Sequence, residues 1–138
     1  MEKKKVQIGL ISVAERSFKF ASEKIKDNFD PSQLKIAFDN SLETFDGEKD
    51  NITIDFGVKY FYRGEEILEC IYGFTYVVEN LKKYVKINAD NSVKIDVIMP
   101  RMLSVALGTL RGIIIARTVG TPVYDCPLPM IDIEDTDN

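Results

Sequence analysis

The chain has no histidine, only two cysteines and no surplus of basic residues, and these absences narrow its chemistry. Without histidine, a Ser-His-Asp triad, a Cys-His pair and a histidine-ligated metal are all excluded. Cys70 and Cys126 lie far apart with no C-x-x-C spacing, which leaves no zinc site. They read as buried thiols in a reducing cytoplasm rather than as a disulfide. Lysine and arginine number 18 against 22 aspartates and glutamates, a net charge of -4 with a pI near 4.9. Such a surface repels a polyanion on average, so nucleic acid is not an expected partner, and a positively charged protein fits better. The longest apolar run, between Arg101 and Arg117, has 15 residues and is interrupted by Arg111. A bilayer span needs about 20, so the run reads as a buried helix with no membrane insertion. Lys3, Lys4 and Lys5 imitate a signal-peptide n-region, but the following VQIGLISVAER alternates and lacks a small-residue cleavage site, as a strand does.

What is present points to one α+β domain over residues 1–138, with a sheet over about 1–80, a long helix over 96–118 and an extended strap with an acidic tail over 121–138. Val6, Ile8 and Leu10 recur at period two, and SFKF continues the pattern through Phe18 and Phe20, which predicts a first strand bulged around Ala14–Arg16. ASEKIKDNFDPSQ is polar and contains Pro31, so a loop with a short helical turn follows. LKIAFDNSLETF then alternates, with Leu34, Ile36, Phe38 and Leu42 on one face. The loop DGEKDN, with Gly47 free to take positive φ, leads into a third strand, ITIDFGVKYFY. RGEE makes a second tight turn into a fourth strand, ILECIYGFTYVVE. These short connections predict an antiparallel meander of four strands in which sequence neighbours are sheet neighbours. On the fourth strand Leu68, Cys70, Tyr72, Phe74 and Tyr76 share one face, while Ile67, Ile71 and Val77 share the other. A strand apolar on both faces needs cover on both sides. NLKKYVKINADNSVK reads as a polar connector.

The helix predicted from about Asp96–Pro100 to Thr118 carries Ser104, Gly108, Gly112 and Ala116 four residues apart, a nearly straight stripe of small side chains. Each mid-helix glycine costs about 1 kcal/mol relative to alanine, so a close contact is expected to compensate. That contact is either a loop of the same chain or another subunit, and the apolar circumference made by Val105, Leu107, Leu110, Ile113 and Ile114 favours material on both sides. The tail, with Pro122, Pro127 and Pro129, reads as an extended strap ending in the acidic Asp132, Glu134, Asp135 and Asp137.

VQIGLISVAERSFKF as first strand, ILECIYGF in the fourth, the proline-started helix at IMPR, the RTVGTP turn and the strap CPLPMID resemble, in this order, the SecB family of export chaperones. The resemblance implies a four-stranded antiparallel sheet with one long helix in each subunit, assembled as a homotetramer, a dimer of dimers with helices between sheets. It makes Ser104, Gly108, Gly112 and Ala116 an oligomer interface. Function would be ATP-independent binding of non-native polypeptides, kept unfolded for export, in the cytoplasm, with no cofactor and no catalytic group. Phe18, Phe20, Tyr60, Tyr62, Tyr72, Phe74 and Tyr76 are the expected client-contact aromatics, with core filling as the alternative for each. The translocase ATPase SecA is a candidate partner, and Glu15 and Glu69 stand where two family carboxylates on the flat outer sheet face would dock it. A third acidic position in the first strand is Lys19 here, and the family's second helix has no counterpart before the chain stops. A SecB-like chaperone dedicated to one client, such as an antitoxin, is therefore the nearest alternative, followed by a structural homo-oligomer without a client. An enzyme would have to use Asp55, Glu65, Glu66 and Glu69, carboxylates around a turn that are usually just solvated.

Overall fold

The computed structural model describes residues 6–25, 28–90, 93–95 and 97–126. Four long antiparallel strands form one sheet: β1 (Ile8–Phe20), β2 (Leu34–Asp46), β3 (Asn51–Tyr62) and β4 (Glu65–Val78). Their order is β1-β4-β3-β2. The meander expectation therefore holds for β2, β3 and β4 and is corrected for β1, which pairs with β4 at the far side. The segment between β1 and β2 makes that crossing through two short 3-10 turns, Ser22–Ile25 and Pro31–Gln33. Ile25 anchors it in the core, and Phe29 stacks on Tyr62 with ring centroids 4.9 Å apart. Apolar anchoring of this loop, which period-two reading of the strands does not register, is what frees β1 from β2.

Four register breaks shape the sheet. On β1 Ile11 and Arg16 are extra residues, the second where a bulge was expected, and on β2 the extra residue is Glu43. A fourth break, at Ile67 on β4, turns that side chain into the core beside Leu68 instead of out with Ile71. Tight turns are supplied by Arg63 and Gly64, both at positive φ, between β3 and β4. In the β2–β3 turn it is Asp50, not Gly47, that takes the left-handed conformation. Gly47 is instead roofed by Lys82, whose side chain would lie 2.7 Å from an added Cβ.

The predicted connector contains a 3-10 turn, Leu81–Lys83, and a small antiparallel hairpin of β5 (Lys86–Ile87) and β6 (Val93–Lys94). Helix α1 then runs Met99–Arg117, Pro100 in its first turn. Thr118 caps it, and Gly120 at φ 84° turns the chain away. By length and composition this helix is long and apolar enough to cross a bilayer, a correction to the estimate from the 15-residue run. In the fold one face of it packs on the sheet: Met102, Ala106, Leu110 and Ile114, four residues apart, are buried over β3 and β4. The strap begins with a 3-10 turn, Pro122–Asp125, where extended chain was expected, and puts Val123 in the core. The acidic end and the prolines at 127 and 129 lie outside the described residues.

Candidate functional site

Strand periodicity sends every second residue of β3 and β4 under the helix, and this decides the fate of the aromatics. Tyr60, Tyr62, Tyr72, Phe74 and Tyr76 are all buried. Phe74 meets Phe56 edge-on at 5.7 Å. Three hydroxyls reach out of this apolar layer to fixed acceptors: Tyr76 donates to the Met102 carbonyl of α1 at 2.8 Å, Tyr60 to the Cys126 carbonyl at 3.1 Å, and Tyr72 to Glu15 Oε1 at 2.7 Å. Burial raises the pKa of all three, that of Tyr72 to about 12 with help from the Glu15 carboxylate. The five aromatics expected to meet a client are thus core side chains in this conformation, as the alternative reading had them. Phe18 and Phe20, on the edge strand β1, are half-buried, and the Arg117 guanidinium lies over the Phe18 ring at 4.5 Å.

Glu15 and Glu69 do not share a face. Glu15 stands opposite Tyr72 and points to the helix side, where Arg117 pairs with it at 2.7 Å. The Tyr72 hydroxyl, followed by Arg117, lowers its pKa against the opposing effect of desolvation. Glu69 lies on the outer face, accepting from Ser17 Oγ at 2.7 Å and flanked by the ammonium groups of Lys19 and Lys59. The remaining carboxylates weighed for an enzyme are also in ion pairs: Asp55 with Arg16, Glu65 with Lys24 and Glu66 with Lys59. The bulge at Arg16 throws its guanidinium across the outer face above Gly73, to Asp55 on β3 and to the bulged Glu43 on β2. One arginine thereby joins the two edges of the sheet, a tie that no sequence motif announces. Beside it a 300 Å³ dent opens over Gly57 and Ile71, rimmed by Asp39, Asp55 and Lys59. Among the described residues no group of three or more His, Cys, Asp or Glu side chains could hold a metal ion. Both cysteines are free thiols, Cys70 buried with its pKa pushed up to about 12 by desolvation and Cys126 half-buried.

The small-residue stripe points straight away from the sheet. Ser104, Gly108, Gly112 and Ala116 are offset by two residues, about 200° of rotation, from the buried Met102, Ala106, Leu110 and Ile114. All four are exposed, and a Cβ added at Gly108 or Gly112 would meet no atom within 4 Å. Among the described residues no loop covers the stripe. Val105 flanks it and Val119 follows at 66% exposure. Arg101 donates to the Val6 carbonyl at 2.7 Å and Arg117 holds Glu15, so one end of α1 is fastened just ahead of β1 and the other to β1 itself, whose Leu10, Ile11 and Val13 are also exposed.

A second apolar surface lies on the helix side of β2, between that strand and the β5–β6 hairpin. Leu42, Ile54, Val93, Ile95 and Met99 line a 150 Å³ cleft there, and the neighbouring Phe38 is 40% exposed. Sequence alternation had marked Phe38 and Leu42 as one apolar face. It gave no sign that α1, lying over β3 and β4, stops short of covering them. Compared with known proteins, the chain matches no family model and no curated protein.

Proposed function

We propose that this chain is a SecB-like, ATP-independent chaperone that assembles with copies of itself and holds non-native polypeptide. The observation that supports the reading is the apolar surface left bare in two places on a chain of net charge -4: the back of α1 with its glycine stripe, and the cleft beside β2. The two surfaces suit different occupants. A straight stripe of small residues admits a second backbone at close range, as a subunit contact requires, and here the copies would meet as a dimer or as a dimer of dimers. The cleft, open, narrow and bordered by the free edge of β2, suits an extended segment whose apolar side chains enter one after another. Clients are proposed to meet Phe38, Leu42 and Val93 rather than the buried tyrosines.

SecA as partner has less support. Glu15 and Glu69 lie on opposite faces, and Lys19 and Lys59 stand beside Glu69, so no paired acidic docking face is formed by these two. This favours the version of the reading in which the chaperone serves a dedicated client without SecA. The test is native mass spectrometry of the protein alone and mixed with a slow-folding unfolded polypeptide, without nucleotide. A tetramer that takes up one extended chain is expected. A monomer that ignores the polypeptide overturns the reading.

A further inference from the structure

The edge strand β2 leaves part of its backbone unused, and the ladder shows which part. The Arg63 amide donates to the Gln33 carbonyl at 3.2 Å, flanking the opposed pair Leu34 and Tyr62. In an antiparallel ladder this makes Leu34 and Tyr62 a pair that exchanges no hydrogen bonds. Lys35, Ala37 and Asp39 therefore bond to β3, and the N–H and C=O groups of Ile36, Phe38 and Asn40 point away from the sheet. The Asn40 amide is already taken by the Asp39 carboxylate at 2.8 Å. Ile36 and Phe38 keep both groups for a further strand, and no described strand lies on that side. The side chains here are complementary to their own reverse. Set antiparallel to a second copy with the two Ala37 residues opposed, KIAFD brings each Lys35 opposite an Asp39 on the outer face and each Ile36 opposite a Phe38 on the helix side. Moving the axis to Ile36 or Phe38 leaves no opposite charges facing, and moving it to Asp39 sets two carboxylates against each other. Lys35 and Asp39 are exposed, and neither forms an ion pair with a described residue of its own chain; the nearby Lys59 holds Glu66 and Glu69.

We propose that β2 is a self-complementary edge through which two copies pair antiparallel about a two-fold axis at Ala37, joining their sheets into one. Ile36 and Phe38 of each copy exchange backbone hydrogen bonds with Phe38 and Ile36 of the other, and Phe38, 40% exposed in the single chain, is covered. The contact is short and its charge pairs lie at the surface, so it is weak and sensitive to salt. It goes beyond the chaperone reading and does not need it, since pairing uses neither the glycine stripe nor the cleft. Where both hold, copy and client compete for Phe38.

Cross-linking of the full chain reads this contact apart from any other between copies. Opposed residues that exchange no hydrogen bonds stand about 4.5 Å apart at Cα, within disulfide reach. Ala37→Cys, in a Cys126→Ser background, is therefore expected to give a covalent dimer with oxidised glutathione, and the equally exposed Ser41→Cys is not. Added to Ala37→Cys, either Lys35→Glu or Asp39→Lys places like charges opposite each other and is expected to lower the dimer yield by about fivefold or more. Mixing these two variants in equal parts restores the yield, because each supplies the charge that the other lacks. Restoration also shows that both variants are folded. Ala37→Cys that cross-links no better than Ser41→Cys, charge variants that cross-link as before, or a mixture that stays monomeric overturns the proposal.

Discussion

Replacing Gly108 and Gly112 together by leucine separates two situations by the sign of its effect. If the stripe is simply solvated, the change removes two helix-weakening residues and adds no clash, because the space above each is open within the chain. At about 1 kcal/mol for each glycine, the gain is about 2 kcal/mol. Unfolding entropy of about 2.1 cal/mol/K per residue over 138 residues gives about 0.3 kcal/mol/K, so the melting temperature would rise by about 7 °C. If a second backbone sits in the stripe, two leucines cannot be accommodated. Overpacking then costs about 1–3 kcal/mol at each site, and it falls on association rather than on the sheet. The expected outcome is a smaller native mass with the far-UV spectrum kept, and a melting temperature that no longer depends on protein concentration. Native mass and melting curves at two concentrations read both effects. An unchanged mass together with a rise of about 7 °C would refute the interface.

Tyr76→Phe removes a buried hydroxyl but leaves its ring, and the expected loss is about 1 kcal/mol, seen as a small drop in melting temperature. Burial raises the phenol pKa values of Tyr60 and Tyr76, so folded protein keeps protons that the unfolded chain releases. Stability is then complete below the ordinary tyrosine pKa of about 10 and falls above it by up to about 1.4 kcal/mol per pH unit for each group. Phenolate absorbance rising for these tyrosines well before the circular dichroism signal is lost would contradict that. Glu15 has the opposite sign: its lowered pKa stabilises the fold above the usual carboxylate range, and the contribution disappears as pH falls through the lowered value. Glu15→Gln should therefore weaken the neutral-pH protein and remove part of its acid sensitivity, measured as melting temperature against pH. In Gly73→Ala the new Cβ would lie 2.5 Å from the Arg16 guanidinium, so the arginine must shift from its place between Asp55 and Glu43. The effects of Gly73→Ala and Arg16→Ala are expected to overlap rather than add, and strict additivity in a double-mutant cycle would show that the tie has no energetic role.

Alternation made the long strands legible, because half-buried antiparallel strands write their two faces directly into sequence: Ile52 to Tyr62 repeat buried and half-buried without a break. The helix was legible for the same reason at another period, with Pro100 and Gly120 near its ends. The position of β1 was not. Pairing with β4 instead of β2 depends on where Ile25 and Phe29 dock, a tertiary matter that local pattern does not encode. The candidate aromatics show the same limit from the functional side, since a tyrosine that fills a core and one that greets a ligand have identical alternation. Their hydroxyl partners, Met102 and Cys126 among them, lie 26 and 66 residues away in sequence. Glu15 misled through parity: side chains on neighbouring strands share a face only when register is known, and β1 carries two breaks in it.

Those breaks have a consequence for how the molecule survives among sticky chains. An intruding strand templates on an edge only along an unbroken comb of donors and acceptors, and on β1 the comb is cut at Ile11 and again at Arg16. No segment of that edge is long enough to seed a steric zipper, which takes about six residues. On β2 the register runs uninterrupted from Leu34 to Leu42 before Glu43 spoils it. The sheet is thus asymmetric toward intruders, with one border cut into short pieces and the other presenting an unbroken comb as far as Leu42.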